Sequence, residues 1–211
     1  MNIVVLISGS GSNLQAILDA CVTGQIRGRV SGVLSNRADA YGLVRAAAAG
    51  VPTATIANRD FSTREAFDAA MQRQIDAWQP DVVVLAGFMR ILTPDFVRHY
   101  EGRLINIHPS LLPQYKGLHT HRRVLATGDR LHGCSVHFVN AELDGGPVIA
   151  RGVIRVLPRD DEQMLTEKVH RVEHRLYPLV LSWMASGRLV YREGRPLLDG
   201  MDSPEPVSLL F

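Results

Sequence analysis

The feature that most constrains the fold is a series of short, uninterrupted apolar runs, each followed by a segment with helical spacing. The first run, residues 3–7, leads into glycines and then into Leu14, Ile17 and Leu18, which recur at the spacing of one helix face. Continuous apolar strands that alternate with helices are typical of a parallel sheet buried on both faces. The same alternation predicts strands at 30–34, 53–56, 82–85 and 104–108, with helices up to residue 49 and over 63–78.

The pattern changes after Gly133. Residues 134–139 and 148–156 have the composition of two strands with no helical segment between them, which predicts an antiparallel pair. Residues 161–185 follow with apolar side chains at helical spacing, despite Pro178, and predict a long amphipathic helix. We therefore expect one Rossmann-like α/β domain over residues 1–211: a mostly parallel sheet flanked by helices, an antiparallel C-terminal strand pair and a long C-terminal helix. The tail from Ser203 is expected to be extended or frayed.

Composition excludes several classes of protein. Of 211 residues, 46% are hydrophobic and 21% are charged, as in an ordinary globular protein. Lys and Arg number 23 against 21 Asp and Glu, a net charge of +2 that disfavours a nucleic-acid binder neutralising many phosphates. Cys21 and Cys134 stand far apart, so the sequence predicts neither a disulfide framework nor a zinc site. No segment resembles a signal peptide or a membrane span, and we expect a cytoplasmic protein.

A glycine-rich turn occupies residues 9–13, Gly-Ser-Gly-Ser-Asn, between the first strand and the first helix. Free N–H groups at the start of a helix point towards an anion, and the helix dipole adds to the attraction, so the turn predicts a phosphate site. A tight turn with a Ser or Asn cap fits the same residues. A dinucleotide fingerprint would need glycine in place of Leu14 and an acid near residues 35–37, where Ser-Asn-Arg stands. The sequence therefore disfavours NAD.

Asn106 and His108 are the polar residues of the apolar run 104–108. Alternation along a strand places them on one face, at the end where open α/β sheets bind ligands. An amide beside an imidazole suits a carbonyl reaction, because both can donate to a developing oxyanion and the imidazole can carry a proton. Asp144, in a loop rich in glycine, either orients His108 or simply forms a turn.

Two further groups of residues have both a structural and a functional interpretation. His119, His121, His132 and His137 match no standard zinc spacing, so we predict packed or solvated histidines and no metal. Residues 88–92 follow a strand end and fit either core packing or an apolar wall for a flat ring.

Several of these segments resemble the phosphoribosylglycinamide formyltransferase family. The likeness covers nearly the whole chain in order: residues 9–13, 87–92, 106–113, 135–139, 143–147, then 173–174, 177–178 and Trp183. It implies an enzyme of de novo purine (IMP) biosynthesis that transfers the formyl group of 10-formyltetrahydrofolate to the amine of glycinamide ribonucleotide. The products would be formylglycinamide ribonucleotide and tetrahydrofolate, formed by direct transfer through a tetrahedral intermediate.

The resemblance also implies roles for individual residues. The catalytic residues would be Asn106, His108 and Asp144. The ribonucleotide would be bound by Gly11, Ser12, Asn13, His170, Arg171, Val172 and Glu173. The folate pocket would be lined by Arg64, Met89, Arg90, Ile91, Leu92, Asn106, Asn140, Ala141, Glu142, Leu143 and Asp144. Residues 1–100 would then form a nucleotide-phosphate half and 101–211 a folate and catalytic half. The only cofactor expected is the formyl folate co-substrate, with no metal and no NAD.

Three other interpretations share part of this pattern. A formyltetrahydrofolate deformylase-like hydrolase would carry an additional N-terminal regulatory domain, and a methionyl-tRNA formyltransferase a C-terminal RNA-binding domain. A non-catalytic nucleotide-binding module would explain the glycine turn but leave Asn106, His108 and Asp144 unused. We expect small-molecule partners, no nucleic acid, no membrane, and a monomer or homodimer.

Overall fold

The computed structural model describes residues 1–201 and 205–211, which form ten strands and six α-helices. The strands are β1 (Asn2–Ile7), β2 (Arg29–Ser35), β3 (Thr53–Thr55), β4 (Val82–Leu85), β5 (Leu104–His108), β6 (Leu131–Phe138), β7 (Val148–Arg155), β8 (Leu189–Arg192), β9 (Arg195–Leu198) and β10 (Val207–Leu210). The helices are α1 (Ser12–Val22), α2 (Tyr41–Ala48), α3 (Arg64–Ala77), α4 (Pro94–His99), α5 (Thr120–Thr127) and α6 (Glu162–Ala185).

Eight of the strands form one mixed sheet in the order β10-β7-β6-β5-β4-β1-β2-β3. All neighbours pair in parallel except β6, which runs antiparallel to both β5 and β7. The predicted fold class is confirmed: a mostly parallel sheet, an antiparallel C-terminal pair and a long C-terminal helix. The sequence patterns did not anticipate the separate β8–β9 hairpin, or β10, which pairs with β7. The frayed tail was predicted from Ser203, and residues 203 and 204 lie outside the described part of the chain.

The two faces of the sheet bury two different clusters of side chains. Ile3, Val5 and Ile7 of β1 belong to the cluster under α1 and α6, whereas Val4 and Leu6 belong to the cluster under α3 and α4. Successive strand residues point to opposite faces, so an uninterrupted apolar run is what a sheet covered on both sides requires. Each apolar run in the sequence therefore supplies core residues to both faces of the sheet.

Helix α6 crosses one face of the sheet and is capped by Asp161, whose carboxylate accepts the Met164 N–H at 2.7 Å. Pro178 lies inside this helix, next to the fully buried Tyr177. The Tyr177 hydroxyl lies 3.0 Å from the Leu85 carbonyl and 3.1 Å from that of Ile105, which ties the helix to β4 and β5. None of the described helices has the length and hydropathy of a membrane-spanning segment.

The carboxyl ends of β1, β2, β4 and β5 meet at one edge of the sheet. On the face that carries α3 and α4, the apolar rows of β1, β2 and β5 end there in polar side chains. Leu6 is followed by Ser8, Leu34 by Asn36, and Leu104 by Asn106 and His108. Burial leaves Ser8, Asn36 and His108 less than a tenth exposed. Buried polar side chains need hydrogen-bond partners, so polar groups are held in fixed positions at this edge. We therefore expect the functional site there.

Candidate active site

The glycine turn between β1 and α1 has a conformation that only glycine adopts easily at position 11. Gly11 has φ +69°, and a Cβ there would lie 2.6 Å from the Cα of Gly42 in α2. The Gly42 N–H donates to the Gly9 carbonyl at 3.1 Å, and the Arg45 Nε–H donates to the Ser10 carbonyl at 2.9 Å. Helix α2 therefore supports the turn from behind. The first N–H groups of α1, from Ser12 onwards, have no partner inside their helix and suit an anion.

Helix α6 brings a buried carboxyl group to this turn. The Asn13 amide donates to Glu173 Oε2 at 2.8 Å, and Glu173 is only 4% exposed. Burial raises the pKa of Glu173, against the opposing effects of the Asn13 hydrogen bond and the nearby His170. Asn13 Oδ1 is buried and has no hydrogen-bond partner, which leaves an acceptor available beside the turn. Of the other predicted ribonucleotide residues, His170 and Arg171 are exposed, whereas Val172 packs in the core.

The structure brings Asn106, His108 and Asp144 together, although sequence spacing could not show that contact. The loop after β6 folds back over the sheet, and Asp144 Oδ2 lies 3.5 Å from His108 Nδ1. The same carboxylate oxygen accepts the Gly117 N–H at 2.9 Å. Asp144 has φ +47°, a left-handed conformation that aspartate tolerates better than most residues. Both side chains of the His108–Asp144 pair are less than a tenth exposed, so their charges interact with little screening by water.

The two ring nitrogens of His108 have different surroundings. Nε2 lies 2.9 Å from the Tyr115 carbonyl, which can only accept, so Nε2 carries a proton. Nδ1 faces Asp144 at a distance longer than the roughly 2.7–3.2 Å of a direct N–H···O bond. Nδ1 is therefore the nitrogen positioned to meet a reacting group, with a carboxylate beside it to stabilise the imidazolium.

His137 is a member of this cluster, although its sequence context predicted only a packed or solvated histidine. Its Nδ1 lies 2.8 Å from the Phe138 carbonyl and must donate, so Nε2 accepts from the Asn106 amide at 3.1 Å. Burial lowers the pKa of His137, which keeps it neutral and able to accept. His137 Nε2 also lies 3.9 Å from Asp144 Oδ1. Only the antiparallel register, which pairs Asn106 with His137, could have revealed this contact.

Most of the predicted folate residues lie in two segments, residues 89–92 after β4 and residues 140–144 after β6. Met89 and Ile91 follow β4 and are 68% and 61% exposed, and Leu143 in the loop after β6 is 55% exposed. Apolar side chains this exposed suit a flat apolar ligand. The second segment is held by the Asn140 side chain, which accepts the Glu142 N–H at 3.0 Å, and by Lys116, whose ammonium lies 2.6 Å from Glu142 Oε1. Arg64, Arg90, Ala141 and the half-buried Leu92 complete the predicted set.

The remaining histidines form no cluster with metal-binding character. His121 Nδ1 lies 2.9 Å from His132 Nε2, and burial lowers the pKa of both, that of His132 to about 4. Residues 1–201 and 205–211 contain no group of three or more His, Cys, Asp or Glu that could hold a metal ion.

Comparison with known proteins agrees with this geometry. Residues 1–181 match the family model described as formyl transferase. The chain is 59% identical over 204 residues to the phosphoribosylglycinamide formyltransferase of Escherichia coli (strain K12), covering 97% of this chain and 96% of that protein. It is 45% identical over 187 residues to the trifunctional purine biosynthetic protein adenosine-3 of Drosophila melanogaster, covering 88% of this chain and 14% of that longer protein.

Solved structures show the same relationship. The phosphoribosylglycinamide formyltransferase of Coxiella burnetii, solved in complex with CHES, superposes with a TM-score of 0.95 at 49% identity, covering 99% of this chain and 98% of that one. The glycinamide ribonucleotide transformylase 1 of Symbiobacterium toebii superposes with a TM-score of 0.91 at 45% identity, covering 94% and 93%. The chain belongs to the formyl transferase family, as its sequence predicts.

Proposed function

We propose that this protein transfers the formyl group of 10-formyltetrahydrofolate to the amine of glycinamide ribonucleotide, in de novo purine biosynthesis. The observation that carries the proposal is the meeting of Asn106, His108 and Asp144 at the same edge of the sheet as the glycine turn and the exposed apolar residues Met89 and Ile91. The relatives named for this reaction support the choice of substrates. One sheet edge then carries a site suited to a phosphate, a surface suited to a flat ring and a cluster suited to activating a carbonyl.

The ribonucleotide would bind with its phosphate on the N–H groups of Gly11, Ser12 and Asn13, and its sugar hydroxyls beside Glu173 and Asn13 Oδ1. The residues of α6 around 170–172 would border the same ligand. The folate ring would lie against residues 89–92 and 140–144, with Arg64 at the rim. In this proposal residues 1–100 supply the phosphate half of the domain and residues 101–211 supply the folate and catalytic half.

The reaction follows from these positions. The neutral amine of the ribonucleotide attacks the formyl carbon, and the carbonyl oxygen becomes an oxyanion. The Asn106 amide and a protonated His108 Nδ1 donate to that oxyanion, while Asp144 stabilises the imidazolium. His137 holds the Asn106 amide at its Nδ2 and thereby sets its direction. The new C–N bond remains, the bond between the formyl carbon and the folate N10 breaks, and the amine proton passes through water and the His108–Asp144 pair to N10.

The two other functions are less well supported. A hydrolase would use water as the acceptor and would have no use for a phosphate-binding turn beside the buried Glu173. A non-catalytic module would leave the cluster around His108 without a role. The proposal is tested by mixing the protein with 10-formyltetrahydrofolate, with and without glycinamide ribonucleotide, and following release of tetrahydrofolate. We expect release only when the ribonucleotide is present. Release without it would establish a hydrolase. No release in either mixture, together with binding of the ribonucleotide measured by calorimetry, would favour a non-catalytic binding module.

The proposal also covers the protein's partners, its location and its oligomeric state. We expect its partners to be small molecules, its location to be the cytoplasm, and its solution state to be a monomer or homodimer. Light scattering on the eluted protein measures the last of these directly.

A further inference from the structure

Asn36, at the end of β2, is a residue to which the sequence assigns no role. Asn36 stands where a dinucleotide-binding protein has an acid that contacts a ribose, and the proposed function gives Asn36 no contact with either substrate. In the structure its side chain turns inward and is only 7% exposed. Asn36 Oδ1 accepts the hydroxyl of Ser8 at 2.6 Å, across the carboxyl ends of β1 and β2.

The Ser8 hydroxyl also has a second partner. The backbone N–H of Met89 donates to Ser8 Oγ at 2.8 Å. Residues 87–93, which include Met89, are neither helix nor strand and come after the last backbone bond between β1 and β4, from the Ala86 N–H to the Leu6 carbonyl. A serine hydroxyl donates once and accepts, and here Asn36 takes the donated hydrogen, which turns the lone pairs of Ser8 towards Met89. The orientation of the hydroxyl is therefore decided by Asn36.

The position of the bond between Ser8 and Met89 matters because it joins two segments that serve different substrates in the proposed function. Ser8 immediately precedes the glycine turn at residues 9–13. Met89 begins the exposed apolar pair, Met89 and Ile91, of the folate wall. Gly87, two residues earlier, has φ +72° and sits at an open turn, where a Cβ would meet nothing within 4 Å. The Phe88 side chain that follows packs against the core on the face of α3 and α4, and the bond to Ser8 fixes the backbone of the next residue, Met89.

We infer that Ser8, oriented by Asn36, is a positioning residue that holds the backbone of Met89 and with it the apolar wall that receives the folate ring. The inference rests on the proposed function for the identity of the ring. It assigns a role to the Ser8–Asn36 pair, which touches neither substrate in the proposed mechanism. A buried hydroxyl with two partners costs more to remove than an exposed one, because its removal leaves the Met89 N–H without an acceptor.

The test compares two serine variants. Ser8→Ala removes the bond to Met89. Ser35→Ala is the matched control, because Ser35 is also buried at a strand end, yet among the described residues its hydroxyl bonds only to the carbonyl and N–H of Arg37 in its own turn. We expect Ser8→Ala to raise KM for the formyl folate about tenfold, the size expected for one lost buried hydrogen bond. The KM for the ribonucleotide and kcat should stay within about twofold.

Two further variants and two further measurements make the test specific to the bond between Ser8 and Met89. Ser8→Thr keeps the hydroxyl and should recover most of the folate affinity, and Asn36→Ala should give a smaller loss, since the Ser8 hydroxyl remains but is no longer oriented. Hydrogen exchange should show faster exchange of the Met89 amide in Ser8→Ala than in Ser35→Ala. Titration with tetrahydrofolate should show the same order of affinities without depending on turnover.

The outcomes separate this inference from the proposed function. Equal rises in both KM values, an equal effect of Ser35→Ala, or an unchanged Met89 amide in Ser8→Ala would each overturn the positioning role. If the wild-type protein transfers no formyl group, the proposed function fails. Tetrahydrofolate affinity then decides the inference alone: a loss in Ser8→Ala that Ser35→Ala does not share supports it, and no loss in Ser8→Ala overturns it.

Discussion

The glycine turn at residues 9–13 and the cluster around His108 lie at the same edge of the sheet but are built by different means. The turn is made by backbone: the left-handed conformation of Gly11, its close approach to Gly42 and the unpaired N–H groups of α1. The cluster is made by side chains from β5, β6 and the loop after β6, whose polar atoms lie 3.1–3.9 Å from one another. The two regions should therefore respond to different substitutions.

The glycine turn and the cluster around His108 should also differ in their response to pH. The backbone groups of the turn do not titrate in the physiological range, and Glu173 is the buried acid nearest to them. The antiparallel half around β6 contains several buried or half-buried histidines, among them His121, His132 and His137. Binding of a phosphate should therefore depend on loop geometry, whereas the chemistry and the stability of the β6 region should depend on protonation.

The largest effect is expected from the side-chain cluster. Asn106→Ala or His108→Ala removes a donor to the proposed oxyanion, and loss of one such donor typically costs about 2.7–4 kcal/mol of barrier. Turnover should fall at least about a hundredfold, while the circular dichroism spectrum and ribonucleotide binding stay unchanged. Near-normal turnover in either purified variant would remove that residue from the mechanism and with it the contrast between the two regions.

The second effect concerns stability against pH. Burial, helped by the charge of His121, lowers the pKa of His132 from 6.5 to about 4. The folded state therefore favours the neutral ring, so this contribution to stability is present above pH 6.5 and is lost as the pH falls towards 4. The free energy of unfolding should drop by roughly 2–3 kcal/mol over that interval.

His132→Asn should flatten this pH dependence, measured by urea unfolding between pH 4 and 7. His119→Asn is the control, because His119 is exposed and left-handed, a conformation that asparagine accepts. Equal slopes in His132→Asn and the wild type would show that the buried histidine pair does not govern the acid stability of this half.

The third prediction tests the backbone region. Gly11→Ala should destabilise the turn by about 1–2 kcal/mol because alanine disfavours φ +69°, and its methyl group would press on Gly42. We expect KM for the ribonucleotide to rise about tenfold with little change in the folate KM.

Gly9→Ala is the matched control, because a Cβ there meets nothing within 4 Å. Its ribonucleotide KM should stay within about twofold of the wild-type value. If Gly9→Ala and Gly11→Ala have equal effects, the turn does not depend on the conformation of Gly11.

The last prediction compares two residues within the cluster, His137 and Asn106. His137→Leu removes the acceptor that directs the Asn106 amide, and kcat should fall about tenfold, less than for Asn106→Ala. His137→Gln keeps an acceptor and should recover part of the rate. A rate that falls equally in both variants would assign His137 to packing and not to the orientation of Asn106.

Much of the fold could be predicted because the apolar runs are local signals. The strands β1, β2, β4 and β5 and the helix α6 appear within a few residues of their predicted bounds. The β8–β9 hairpin and β10 were missed because short edge strands lack a buried run of their own. For the site, the strand alternation was enough to place Asn106 and His108 on one face, whereas the roles of the folate and ribonucleotide residues came from family resemblance and remain predictions.

The sequence by itself determined the family, the sheet of buried parallel strands, the glycine turn and the polar pair on β5, because each depends on residues close together in the chain. Only the tertiary structure decided that Asp144 reaches His108, that His137 holds Asn106, and that Ser8 connects Asn36 to Met89. These contacts join residues between 28 and 81 positions apart. They depend on strand order, register and the path of the returning loop, which are properties of the packed chain as a whole.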